Sequence, residues 1–174
     1  MKILIALLLL LALPAAAQDA GPAKRQMAAK MLMAYEAKSK SKVAEFYNYL
    51  ELLSDPKLDT EMKMQVTLQA KKLFGNEKTM VADVFDKKTK LVTLDALLQT
   101  AASQKEKYSF TITDFKPARP IGNTESWTLR YRLNYKNSTI AVEQGYFLED
   151  IVKDFGTLTQ VVTSAYLGDI KLMQ

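Results

Sequence analysis

Carboxylates, tyrosines, lysines and arginines must carry any chemistry in this sequence, because its 174 residues contain no histidine and no cysteine. That excludes nearly all zinc and copper sites, and with them the Ser-His-Asp and Cys-His nucleophile systems. No glycine-rich phosphate loop is present, so no metal and no cofactor are expected. What remains is acid–base work by an Asp–Tyr pair. Asp83 and Asp114 fall in or beside predicted strands, and Tyr47, Tyr131 and Tyr146 could supply the hydroxyls. An apolar pocket would raise the pKa of such a carboxyl and keep it useful near neutrality. The plainer reading of a strand Asp near a turn is a solvated or capping residue. Met27, Met31, Met33, Met62 and Met64 lack the regular spacing of a copper-binding array and read as soft core filling.

Aromatic residues give a sharper pattern. Trp127, Tyr131 and Tyr135 alternate with Thr128, Arg130, Arg132 and Asn134, so the rings share one face of a strand. They are either the apolar face of a half-buried strand or one wall of a ligand pocket. For the pocket, amphipathic rings offer apolar area plus a hydrogen bond, and the expected wall is Tyr47, Trp127, Tyr131 and Tyr146. Arg130 and Arg132 on the other face suit cross-strand ion pairs or a solvent face. Asn137-Ser138-Thr139 is a glycosylation sequon, with meaning only in a eukaryotic secretory pathway.

These residues must be positioned by helices first and strands after. A helical stretch over Lys24 to Ala37 leads into Lys38-Ser39-Lys40-Ser41-Lys42, either a break or a solvated turn of one longer helix. Val43, Phe46, Tyr47, Leu50 and Leu53 then recur at helical steps, and Asp55-Pro56 ends the run. Asp59 or Thr60 can cap the next helix, with Met62, Val66, Ala70 and Leu73 as its apolar face and Gly75 as its C-terminal cap. Val81 to Phe85 predicts a short strand, Lys87 to Lys90 a turn, and Leu91-Val92 a return strand before Thr93 caps a third helix. Strands follow around Tyr108 to Thr113, Trp127 to Tyr135, Thr139 to Leu148 and Thr157 to Leu167, with turns at Lys136-Asn137-Ser138 and Asp154-Phe155-Gly156. The breaker-rich stretch Lys116 to Asn123 separates the first two. Short turns between consecutive strands require antiparallel neighbours.

This order resembles the nuclear transport factor 2-like superfamily. The resemblance runs over roughly Val43 to Ile170, and it is carried by VADVFDKKTKLVTLDALL (Val81 to Leu98) and the closing TLTQVVTSAYLGDI (Thr157 to Ile170). It implies an α+β fold, with N-terminal helices packed on the concave face of a curved, mainly antiparallel sheet. It implies a pocket between sheet and helices, and homodimers formed through the sheet, as in many members. The superfamily spans enzymes, adaptors and binding domains, so fold alone assigns no activity.

The N-terminus has the pattern of a secretion signal. Lys2 is the positive start, Ile3 to Leu13 the apolar run, and Pro14 with Ala15-Ala16-Ala17 the small-residue cleavage site before Gln18. The run is shorter than the roughly 20 apolar residues a spanning helix needs. With no cysteine at the cut, no lipid anchor is expected. The domain plan is therefore a signal peptide over residues 1–17, a lead-in and helix over 18–42, and one domain over 43–174. A mature chain of this size buries roughly 70% of its unfolded surface and folds without disulfides. Its mild positive charge is too diffuse for nucleic acid. The reading is a periplasmic or secreted, non-catalytic binding or interaction module, taking a small amphipathic ligand or an envelope protein partner. The alternative is a metal-free enzyme of isomerase or cyclase type using an Asp–Tyr pair.

Overall fold

A computed structural model describes residues 22–76, 78–86, 90–118 and 125–173, with the backbone alone for 22–29 and 32. The leader, its cleavage position at Ala17 and Gln18, turn residues 87–89 and loop residues 119–123 lie outside the described residues. The chain divides into two compact units, Met1–Met33 and Ala34–Gln174. Described residues of the first are helical, and Met31 and Met33 on it are exposed.

Among the described residues the chain is α+β, with three helices and one open six-stranded sheet. Helix α1 spans Pro22–Ser54 without interruption, so the basic run 38–42 is a stretch of one long helix and not a break. The reason is phase. Ser39 lies four residues before Val43, on the stripe that continues through Phe46, Leu50 and Leu53, and all five are fully buried. The Ser39 hydroxyl donates to the Glu36 carbonyl at 2.7 Å, the back-bonding that lets a buried serine stay helical. Lys38 and Lys40 point to solvent on either side of it.

Asp55-Pro56 ends α1, and Asp59 caps α2 (Thr60–Lys72) by accepting from the Met62 amide at 2.8 Å. Val66 and Ala70 of α2 are buried, whereas Met62, expected inside, is half exposed. The C-cap of α2 is Leu73, not Gly75. Gly75 serves another purpose. A Cβ there would lie 2.8 Å from Phe147 Cζ and 3.0 Å from Tyr166 Cγ, so only glycine lets these two rings lie across the chain. Strand β1 (Met80–Ala82) pairs with β2 (Leu91–Thr93), and Thr93 caps α3 (Leu94–Ala102) through the Ala96 amide at 3.2 Å.

The remaining strands are β3 (Thr111–Ala118), β4 (Ser126–Tyr135), β5 (Ser138–Phe155) and β6 (Leu158–Leu172). Sheet order is β2-β1-β6-β5-β4-β3, antiparallel throughout except β1 with β6. The β1–β6 junction is the pair Val81↔Ile170, reinforced by the Met80 amide donating to Asp169 Oδ1 at 2.9 Å. Lys136 and Asn137, both at positive φ, make the two-residue turn between β4 and β5, the backbone of a type I′ hairpin. Gly156, at φ 66, opens the turn between β5 and β6.

Both long strands run well past the expected ends. Pairing of β4 with β5 stops at Ser126↔Phe147, while β5 and β6 stay paired out to Phe155↔Leu158. Among the described residues, the segments from Glu149 to Ser164 therefore pair only with each other, forming a two-stranded arm about 20 Å long. Four apolar side chains on it stand in solvent: Val152 at 68% exposure, Phe155 at 55%, Leu158 at 63% and Val161 at 68%.

Candidate functional site

The four expected pocket-wall residues come from three elements and meet in the core. Tyr47 is on the buried stripe of α1, Trp127 and Tyr131 are on the inward phase of β4, and Tyr146 is on β5. Their exposures are 2%, 3%, 3% and 1%, so they sit in the core, although Tyr47 also edges a cleft of about 240 Å³ with Asn48 and Phe110. Trp127 and Tyr146 are register partners, and their rings stack at 5.0 Å and 15°. Tyr35 of α1 sits 6.0 Å from Trp127. Four residues along β4 from Trp127, the Tyr131 hydroxyl lies 3.1 Å from that of Tyr47, with the rings edge to face at 6.0 Å.

Tyr131 also donates to Gln144 Oε1 at 2.8 Å. With that proton spent, Tyr47 is the donor toward Tyr131. The result is a buried relay, Tyr47 to Tyr131 to Gln144. Gln144 Nε2 and the Tyr146 hydroxyl are buried without a protein hydrogen-bond partner. Gln144 was not among the expected residues. Its signal was its phase, since it lies between Val142 and Tyr146 on the inward row of β5, where a polar side chain needs an explanation.

Burial holds all three phenols neutral. It pushes the Tyr47 hydroxyl up, against the opposing bond from Tyr131, and pushes Tyr131 well up with help from Tyr47. Tyr146 rises by burial and then by the nearby Tyr35. A phenol whose folded pKa is raised keeps its proton while the unfolded chain loses one. Its contribution to stability is whole below the ordinary tyrosine value near 10 and falls as pH rises beyond it. Alkaline titration followed by phenolate absorbance should therefore show Tyr47, Tyr131 and Tyr146 ionising only as the far-ultraviolet circular dichroism collapses. Ionisation of all eight tyrosines with the fold intact would refute this packing.

Neither candidate carboxylate joins the relay. Asp83 accepts from the Phe85 amide at 2.9 Å, closing its own turn. It lines a cleft of about 590 Å³ with Tyr108, Tyr135 and Lys136. The Tyr135 phenol there is raised by burial first and then by Tyr108 and Asp83, with Lys136 opposing. Lys136 is already engaged, paired with Glu106 and 4.0 Å above the Tyr108 ring. Asp114 is the positive-φ residue of a bulge in β3, exposed and 3.4 Å from Arg132. Arg130 meets its register partner Glu143 at 3.1 Å. Both arginines thus make cross-strand ion pairs at the surface, worth little to stability.

The relay can donate hydrogen bonds and cannot abstract a proton, since it holds neutral phenols and an amide. Among the described residues, no group of three or more acidic side chains is placed to hold a metal ion, and no helix is long and apolar enough to cross a membrane. Compared with known proteins, the chain matches no protein-family model, no curated protein and no solved structure.

Proposed function

We propose that this protein is an exported, non-catalytic interaction module of the periplasm or extracellular space, and that it docks a protein partner through the β5–β6 arm. One observation carries the reading. Val152, Phe155, Leu158 and Val161 stand more than half exposed on strands that have no neighbour beyond each other among the described residues. Apolar side chains concentrated on an open two-stranded ribbon are costly in water, and such surfaces mark binding sites. The secretion pattern of residues 1–17 supports the location.

The test is site-specific photocrosslinking in the producing cell. A photoreactive residue at Phe155 or Leu158 should give a discrete protein adduct, and one at exposed Lys105, remote in sequence from the arm, should not. Equal adducts from all three positions, or none from the arm, would overturn the reading.

A second reading has its own observation. Gln144 Nε2 and the Tyr146 hydroxyl are buried polar atoms without a protein partner, and such atoms suit a small hydrogen-bonding molecule lodged beside them. Native mass spectrometry of protein from its own host would show that molecule as an added mass. The unmodified chain mass alone would remove this second reading.

A further inference from the structure

The arm's two open edges differ in charge, and the difference selects an occupant. Where β4 ends, the Leu148 amide of β5 still donates to the Glu125 carbonyl at 2.6 Å. Backbone groups of an antiparallel strand face its two sides alternately, so those of Asp150, Val152 and Asp154 turn to the same side as Leu148. Among the described residues no strand lies there. Counted likewise from the Leu167 amide on Leu73, the backbone groups of Thr159, Val161 and Thr163 turn to the opposite edge, that of β6. Residues 158–164 of β6 carry no charge, whereas residues 149–155 of β5 carry Glu149, Asp150 and Asp154 against Lys153. Asp150, Val152 and Asp154 share one exposed face of the arm. Thr163 and Thr159 donate to Oδ1 of the two carboxylates at 2.7 and 2.8 Å. Among the described residues no cation pairs with either acid.

We propose that the open edge of β5 takes an extended basic segment of a partner protein as a third strand of the arm. This rests on the arm being the docking element. Backbone bonds along an added strand give affinity, and its alternate side chains give the choice of partner. Laid antiparallel, the partner strand puts one residue opposite Val152 and the residues two places to either side opposite Asp150 and Asp154. Cross-strand neighbours of this kind stand about 5 Å apart, so an apolar residue suits the centre and lysine or arginine the flanks. The recognised pattern is a basic, an apolar and a basic residue at alternate positions. A second copy of β5 does not fit it. Centred on Val152, that copy sets Asp150 against Asp154, and like charges directly opposite are destabilising. The β6 edge has no charge with which to choose.

Two prolines separate the edges. The Val152 amide faces the β5 edge and the Val161 amide the β6 edge, so proline at either removes no bond between the two strands. Edge strands tolerate proline so placed, which circular dichroism checks. The probe is a fluorescein-labelled peptide, Thr-Arg-Thr-Val-Thr-Arg-Thr, followed by fluorescence anisotropy. It should bind the unaltered protein. Val152→Pro should weaken that binding tenfold or more, and Val161→Pro should leave it unchanged. Asp150→Asn combined with Asp154→Asn should weaken it about fivefold, the loss of two cross-strand ion pairs. The same peptide with glutamate in place of arginine should not bind. Failure of the arginine peptide to bind overturns the proposal, as does equal binding of the glutamate peptide. Binding that survives Val152→Pro, is lost with Val161→Pro or ignores the asparagine changes overturns it too. In the producing cell, a Phe155 adduct that Val152→Pro leaves in place defeats edge addition alone. No arm adduct in the unaltered protein defeats the docking reading as well.

Discussion

Phe46→Ala is expected to cost about 3–5 kcal/mol of folding stability, the usual range for removing a fully buried phenylalanine. Phe46 is fully buried and meets Phe74 edge to face at 4.9 Å, with Tyr47 beside it at 5.4 Å. Phe74 in turn bridges to Leu167 of β6, and the Leu167 amide donates to the Leu73 carbonyl at 2.8 Å. One ring therefore ties α1 to the end of α2 and to the middle of the sheet. A domain of this size holds about 5–15 kcal/mol in total, so the loss would lower the melting temperature by roughly 10 °C. Urea unfolding should show the midpoint falling with the slope unchanged. A shift no larger than that of an exposed position, such as Met64→Ala, would show that this junction is not packed as described.

Tyr131→Phe is expected to destabilise by about 2–5 kcal/mol, although it removes a single oxygen. The change leaves the Tyr47 hydroxyl without its acceptor and Gln144 Oε1 without its donor, both fully enclosed. Each stranded group costs about 1–3 kcal/mol. Removing the whole relay should cost less than breaking it. The combined Tyr47→Phe, Tyr131→Phe and Gln144→Leu protein should recover most of the loss, since apolar replacement of every partner leaves nothing unsatisfied. Chemical denaturation of the single and triple variants decides it. A triple variant less stable than Tyr131→Phe would mean that the three groups do not act as one network.

Much of this architecture is legible in residue order. The stripe from Val43 to Leu53, the Asp59 and Thr93 caps and the alternation along β4 are local signals, and local backbone and hydration physics reproduces them. The run at 38–42 misleads, because all five of its residues are polar and only the helical phase of Ser39 shows which one faces the core. Other features depend on partners distant in sequence. That Gln144 would meet Tyr131, or Gly75 yield space to Phe147 and Tyr166, follows from strand register. The burial of Trp127, Tyr131 and Tyr146 agrees with an ordinary inward strand face, while the choice between core and pocket required three-dimensional packing. The arm escapes a local reading for a similar reason. Its residues alternate like any half-buried strand, and nothing nearby in sequence tells that β4 stops at Ser126.

The parallel contact between Val81 and Ile170 constrains how this protein is made. β6 sits between β1 and β5, so it alone joins the β1–β2 hairpin to the rest of the sheet. A chain synthesised only through β5 holds two pieces of sheet with no strand to unite them. Joining them closes a loop of nearly ninety residues, the kind of non-local step that slows folding. Cooperative folding must therefore wait until residues 158–172 have left the ribosome.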